Sequence, residues 1–99
     1  MANPPEGMDP AFAAQFLKIQ KVFVAGLAKR LQDIQQAPDA QARHVALHRL
    51  AGAAGGYGFG ALSVLAREAM DAIEGGADAP VQTALIRLAE AIAHIPLEA

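Results

Sequence analysis

The sequence predicts an all-α protein, an up-down antiparallel four-helix bundle with room for a short extra helical segment at the N-terminus. Hydrophobic residues make up 54% of the chain, and many of them are alanine, which favours helix. Residues that favour strands are few, with one Tyr, four Phe and no Trp. Apolar residues recur every three or four positions in four stretches separated by short Pro- or Gly-containing segments, and helices joined by short loops pack antiparallel.

The first helix is predicted from Asp9 to about Gln36. Asp9 is a suitable N-cap, and Pro10 suits the first helical position because its missing N–H is not needed there. A continuous helix of this length would be about 40 Å long, more than the later helices can cover. We therefore expect a break, with a short leading segment from Asp9 to Phe16 lying over the end of the bundle. The predicted core stripe is Phe12, Phe16, Ile19, Phe23, Leu27, Leu31 and Ile34.

The second helix is predicted from Ala40 to Ala54 or slightly beyond. The Pro38-Asp39 pair separates it from the first, because proline disfavours helical geometry in the preceding residue and Asp39 can accept from backbone amides. The glycine-rich stretch from Gly55 to Gly60 is expected to form either a fraying helix end or a tight turn, anchored in the core by Tyr57 and Phe59. The predicted buried stripe is Leu47, Leu50, Ala51 and Ala54.

The last two helices are predicted from Ala61 to Glu74 and from Asp78 to Pro96. Gly75-Gly76 ends the third helix, and Pro80 lies just inside the start of the fourth. The stripe of the third helix is Leu62, Leu65, Ala66, Ala69 and Ile73. The stripe of the fourth is Val81, Leu85, Leu88, Ala89 and Ile92, with Ile95 as its extension.

Composition limits the classes of function that fit the chain. A formal net charge of -2 and the lack of a basic stripe argue against a nucleic-acid partner. The absence of cysteine excludes disulfides, thiolate metal sites and a cysteine nucleophile. No signal-peptide pattern and no uninterrupted apolar run of about 20 residues is visible, so we expect a cytoplasmic protein without a membrane partner. Residues 1–8 are interpreted as a flexible tail and residues 9–99 as one domain.

His48 is expected to be exposed on the second helix. With Leu47 at 0° and about 100° per residue, His48 lies at about 100°, at the edge of the apolar face. Gly52 and Gly55 follow at about 140° and about 80°, so two residues without side chains flank the imidazole. Glycine within a helix costs about 1 kcal/mol relative to alanine. Glycines kept beside an exposed histidine therefore indicate a surface that a bulky partner approaches.

This stretch resembles the signature of histidine phosphotransfer domains, the carrier modules of two-component phosphorelays. In that family the phosphorylated histidine is followed by Leu at the second position, Gly at the fourth, a hydrophobic-Gly pair at the ninth and tenth, and Leu at the fourteenth. The matching residues are His48, Leu50, Gly52, Tyr57, Gly58 and Leu62. The segment from Ala61 to Ala69 is similar to the family's next helix. Two positions differ, because Ala51 stands where the family usually has Lys and Ala53 where it often has Ser.

The resemblance implies that Nε2 of His48 takes a phosphoryl group from a receiver-domain aspartate and returns it to another receiver. Response-regulator receiver domains and hybrid histidine kinases are the implied partners. The receiver would bring an acidic pocket, a lysine and a divalent cation such as Mg²⁺. We therefore expect no cofactor of the chain's own and no ATPase or kinase activity.

The surroundings of His48 contain the other candidate site residues. Val45, at about 160°, supplies an apolar part of the docking surface, and Val22 and Val24 are candidates to enlarge it. His44, one turn before His48, is hypothesised to hydrogen-bond the phosphoryl group in place of the missing lysine. A metal site on this histidine pair is not expected, since no third ligand occupies a recognisable position. The candidate surroundings are Gln41, His44, Val45, Arg49, Gly52 and Gly55.

Two functions from different classes remain open. One is a phosphocarrier that uses His48. The other is an interaction-only helical module that docks receivers or another partner without being phosphorylated, and Ala51 is the feature that favours it. An independent hydrolase or kinase is disfavoured because no second catalytic group is visible near His48. His94 is expected to contact the terminal carbonyls of the last helix or solvent and is assigned no function.

Overall fold

The computed structural model describes residues 9–95, which form an all-α bundle. Its helices are α1 (Pro10–Ala25), α2 (Leu27–Gln35), α3 (Ala40–Gly56), α4 (Gly60–Gly75) and α5 (Asp78–Ala93). Because α1 and α2 are one helix interrupted at Gly26, the bundle has four helical elements. α3 packs mainly on α4 and α4 on α5, while α2 contacts α3 and α5 and closes the ring. The predicted fold class is confirmed. The predicted tail, residues 1–8, and the predicted stop at Pro96 lie outside the described residues.

The predicted capping residues start two of the helices. The Asp9 carboxylate accepts from the Ala11 N–H at 2.8 Å, and the Asp39 carboxylate accepts from the Ala42 N–H at 2.7 Å. Each bond satisfies a backbone donor that has no partner within its helix. These caps explain why the starts of α1 and α3 were predictable from local sequence.

The interruption of the first helix lies at Gly26 and not near Phe16. The Gly26 N–H is shared between the carbonyls of Val22, at 3.2 Å, and Phe23, at 3.1 Å, so the helix tightens locally without reversing direction. Glycine is among the weakest helix formers, whereas no residue near Phe16 disfavours helix. The predicted end of the leading segment is therefore wrong.

The core lies between α2, α3, α4, α5 and the end of α1. The predicted stripe of α3 is confirmed, with all four residues buried. On α4 and α5 the predicted positions are buried or half-buried, and all of them except Ala89 pack on the same cluster. The buried apolar residues are Phe23, Val24, Leu27, Ile34, Leu47, Leu50, Ala51, Ala54, Phe59, Leu62, Ala66, Ala69, Val81, Leu85 and Leu88.

The first half of α1 does not join this core. Phe12 is 70% exposed and Ile19 is 39% exposed, although both belong to the predicted stripe. The interrupted helix spans 26 residues and the facing α3 only 17. At about 1.5 Å per residue, α1 therefore begins beyond the end of the bundle, where no other helix of residues 9–95 covers its apolar face. The prediction that these two residues lie in the core is wrong.

Gln20 and Phe23 attach the end of α1 to the turn after α3. The fully buried Gln20 donates through Nε2 to the Tyr57 carbonyl at 2.8 Å. The Phe23 ring packs on Tyr57 and Phe59, with centroids 5.2 and 5.4 Å away. Gly58 takes a φ of +88° in this turn, which a residue with a Cβ rarely adopts. The predicted anchoring of the turn by its two aromatic residues is confirmed.

One stretch within residues 9–95 is long and apolar enough to cross a membrane by length and composition, namely Pro10–Gln35. Core helices of soluble proteins meet the same criterion, and this one contributes Phe23, Val24 and Leu27 to the core. The absence of a membrane partner and the cytoplasmic location therefore stay predictions.

Two substitutions by alanine test which apolar side chains lie in the core and which are exposed to solvent. We expect Leu50→Ala to lower the free energy of unfolding by about 2–5 kcal/mol, because it leaves a cavity at a fully buried site. Phe12→Ala should change it by less than about 0.5 kcal/mol, because the ring is largely exposed. Urea denaturation followed by far-UV circular dichroism measures both. Equal losses in the two variants would place Phe12 in the core and contradict the structure.

Candidate functional site

His48 lies in the middle of α3 and is exposed to solvent, as its position on the helix predicts. The opposite face of the helix carries Leu47, Leu50 and Ala54, which are fully buried. Within residues 9–95, no side-chain hydrogen bond or ion pair uses the His48 imidazole. The ring is therefore accessible to a partner and is not committed to holding the fold.

Gly52 leaves open space one turn after His48. A Cβ added at Gly52 would meet nothing within 4 Å, whereas one added at Gly55 would lie 3.5 Å from Ser63 Oγ. The helix is regular through both positions, and Gly52 has a negative φ. Neither packing nor backbone conformation therefore requires glycine at position 52. Because Gly52 has no side chain, no atoms of this residue project from the helix surface beside the imidazole.

Two contacts join α3 to α4, one before His48 along α3 and one after it. Towards one end, His44 Nε2 lies 3.9 Å from Glu74 Oε2. Towards the other, the buried Ser63 hydroxyl donates to the Ala51 carbonyl at 2.8 Å. Because α4 runs antiparallel to α3, these contacts fix α4 alongside the part of α3 that carries His48.

His44 faces a carboxylate in this structure. The side chain of His44 is partly buried beside Glu74, which is itself largely exposed. A negative charge next to His44 opposes the approach of a phosphoryl group to that imidazole. The hypothesis that His44 replaces the missing lysine is thereby weakened. Within residues 9–95, no three His, Asp or Glu side chains form a group that could hold a metal ion.

The other flank of α3 borders an open groove of about 530 Å³ between α2 and α3. It brings two of the predicted site residues, Val45 and Arg49, together with Arg30, whose guanidinium carbon lies 5.6 Å from the centre of the Phe23 ring. The full lining is Arg30, Asp33, Ala42, Val45, Ala46 and Arg49. This flank therefore combines an exposed apolar side chain with two arginines and one carboxylate, Asp33, which pairs with Lys29 at 2.7 Å. Arg30 was missed because its position beside α3 depends on how the helices pack, which local spacing does not show.

The remaining predicted residues differ in their exposure to solvent. Gln41 is exposed on the first turn of α3. Val22 is 74% exposed on α1, but Val24 is fully buried in the core. The expectation that Val24 enlarges a docking surface is wrong, because its side chain turns toward the bundle.

Comparison of the chain with protein-family models, with curated proteins and with solved structures finds no match. The resemblance to histidine phosphotransfer domains rests on the signature residues quoted above.

Replacing Gly52 tests whether the fold needs this glycine. Gly52→Ala should raise the free energy of unfolding by about 0.5–1 kcal/mol, because alanine is the better helix former and its methyl group has room. Gly76→Ala is the matched control and should lower it by about 1 kcal/mol or more, because Gly76 has a φ of +82°. Urea denaturation measures both changes. A loss of stability in Gly52→Ala would show that the glycine has a structural role.

Proposed function

We propose that the protein is a phosphocarrier of phosphorelay signalling that accepts and donates a phosphoryl group at His48. The observation that carries the proposal is an exposed, uncommitted histidine in the middle of a rigid helix, followed one turn later by a glycine that the fold does not need. The stability lost at Gly52 is explained if another protein must approach the imidazole closely. The resemblance of the surrounding residues to the phosphotransfer signature supports the same conclusion.

The proposed reaction uses neutral imidazole as a nitrogen nucleophile. The lone pair of Nε2 forms a bond to the phosphorus of a receiver's aspartyl phosphate. The bond between phosphorus and the aspartyl oxygen breaks, and its electron pair leaves with the carboxylate. Nδ1 keeps its proton throughout. The reverse step, with a second receiver, regenerates the free imidazole and completes the transfer.

The open position of His48 is consistent with an active site completed by two proteins. Phosphoryl transfer needs in-line geometry and neutralisation of charge on the phosphoryl oxygens. A convex helix surface provides neither a pocket nor a cage of ligands. The receiver would therefore supply the acidic pocket, the lysine and the divalent cation. The chain would supply the nucleophile and a surface that positions it.

The groove between α2 and α3 is the proposed docking surface beside His48. Val45 offers an apolar contact, and Arg30 and Arg49 offer positive charge that complements an acidic receiver pocket. Complementary charge speeds encounter, and a small contact area permits rapid release. Both properties suit a carrier that must leave one partner before it serves the next.

The principal test is phosphate incorporation at His48. We expect the wild type to acquire acid-labile phosphate from a phosphorylated receiver domain and His48→Gln to acquire none, because glutamine has no nucleophilic ring nitrogen. His94→Gln is the matched control and should label normally. Its imidazole lies at the far end of α5, where Nδ1 contacts the Glu90 carbonyl at 2.7 Å. Phosphorylated intact protein is counted by mass spectrometry under neutral conditions.

The interaction-only alternative makes the opposite prediction. Ala51 favours it, because this position is only 3% exposed and carries no charge beside the histidine. A wild-type protein that binds several competent receivers but stays unlabelled would establish the alternative and overturn the phosphocarrier proposal.

A longer side chain at Gly52 should block the partner without damaging the nucleophile. We expect Gly52→Gln to slow transfer from a receiver by about tenfold or more, because misplacement of the reacting groups is costly. Phosphorylation by the small donor phosphoramidate should be nearly unchanged. Gly75→Gln, at the end of α4, where an added Cβ also has room, should leave both rates unchanged. Equal slowing with both donors would show that the substitution perturbs the histidine itself.

A further inference from the structure

Two stripes of residues face each other along the interface between α3 and α4. Positions 44, 48, 51 and 55 form the stripe on α3, and positions 63, 67, 70 and 74 form the stripe on α4. Both follow the spacing of four, three and four residues that keeps side chains on one helix face. The ends of the stripes align, because His44 contacts Glu74 at 3.9 Å and a Cβ at Gly55 would lie 3.5 Å from Ser63 Oγ.

The inner positions of the stripes follow from their ends. His48 is opposite Met70, and Ala51 is opposite Arg67. Met70 is half-buried and packs on the core, whereas Arg67 is exposed. Arg67 lies three residues from Met70, which corresponds to about 4.5 Å along the helix axis. It therefore stands beside the turn of α3 that begins at His48, on the same solvent-facing edge of the interface.

The charges around Arg67 leave it available to an anion. Glu68, the next residue, points to the other side of α4 and pairs with Arg87 at 3.0 Å. Asp71 and Glu74 are the acidic residues that follow Arg67 on its own flank, and Glu74 lies beside His44. Within residues 9–95, none of the ion pairs involves Arg67. Arg49, the residue after His48, lies on the opposite flank and lines the groove with α2.

We propose that Arg67 contacts the phosphoryl group on His48 and supplies the positive charge that Ala51 does not. This inference rests on the proposed function. The side chain of Ala51 is small and buried, and Arg67 is exposed at the facing position of α4. A planar guanidinium donates two parallel hydrogen bonds to phosphoryl oxygens, and its long stem lets the charge remain near solvent.

Phosphoramidate tests this role without a protein partner. Nε2 of His48 forms a bond to phosphorus, the phosphorus–nitrogen bond of phosphoramidate breaks, and ammonia leaves after taking up a proton. A guanidinium beside the imidazole neutralises the incoming phosphoryl oxygens and stabilises the phosphorylated product. Phosphorus NMR and intact-protein mass spectrometry follow the rate of incorporation and the fraction phosphorylated at equilibrium.

We expect Arg67→Ala to slow phosphorylation by phosphoramidate about tenfold and Arg67→Lys to slow it less, because lysine keeps the charge but loses the planar pair of donors. Arg87→Ala is the matched control that removes a positive charge elsewhere, and it should leave the rate within about twofold of wild type. The double variant Ala51→Lys with Arg67→Ala should recover most of the rate, because it returns the charge to the same edge from α3. Circular dichroism verifies that each variant is folded.

The outcomes separate this inference from the proposed function. If His48 is labelled and Arg67→Ala labels at the wild-type rate, Arg67 has no role and only this inference is overturned. Slowing with a receiver donor but not with phosphoramidate would make Arg67 a docking contact and would also overturn it. If His48 stays unlabelled with receiver donors and with phosphoramidate, the proposed function is overturned as well.

Discussion

Close packing of α3 against α4 is the constraint on which the candidate site depends. Small side chains face each other across this interface, and a buried hydrogen bond from Ser63 to the Ala51 carbonyl joins the two helices. Alanine lets the helix backbones approach closely, so a sliding of one helix past the other would break the bond and open cavities. The buried alanines of the two helices are Ala51, Ala54, Ala66 and Ala69. With the register held in this way, His48 is kept at the solvent-facing edge.

The two flanks of the histidine helix differ in a way that suits transfer between proteins. On the side of α3 that faces α2, Val45, Arg30 and Arg49 line an open groove that is accessible to a partner. The α4 flank is close-packed and carries polar groups that face outward, including Arg67. A carrier needs reversible docking as well as local stabilisation of a charged intermediate. Under the proposed function, docking falls to one flank and stabilisation of the phosphoryl group to the other.

The sequence predicted the fold class, the four helical elements and the exposure of His48. Capping by Asp9 and Asp39, and the spacing of the apolar residues on α3, are local features that act over one or two turns. The predictions from sequence were wrong where α1 extends beyond the end of the bundle. Phe12 continues the apolar spacing of α1 but is not covered by another helix of the described part of the chain, and Val24 is buried in the core. Spacing shows which residues share a face, but not whether another helix reaches that face.

By itself, the sequence determined the capped starts of α1 and α3 and the apolar side of α3. It also placed an exposed histidine, with a glycine one turn after it, on the outer side of that helix. These properties follow from backbone hydrogen bonding and helical periodicity. Only the tertiary structure decided that His44 meets Glu74 and that Ser63 bonds the Ala51 carbonyl. The register that these contacts set places position 67 opposite Ala51. Such pairings join residues far apart in the chain, and they depend on the register and direction of packed helices. The physical reason is that side-chain volume in the core sets this register, and no local pattern encodes it.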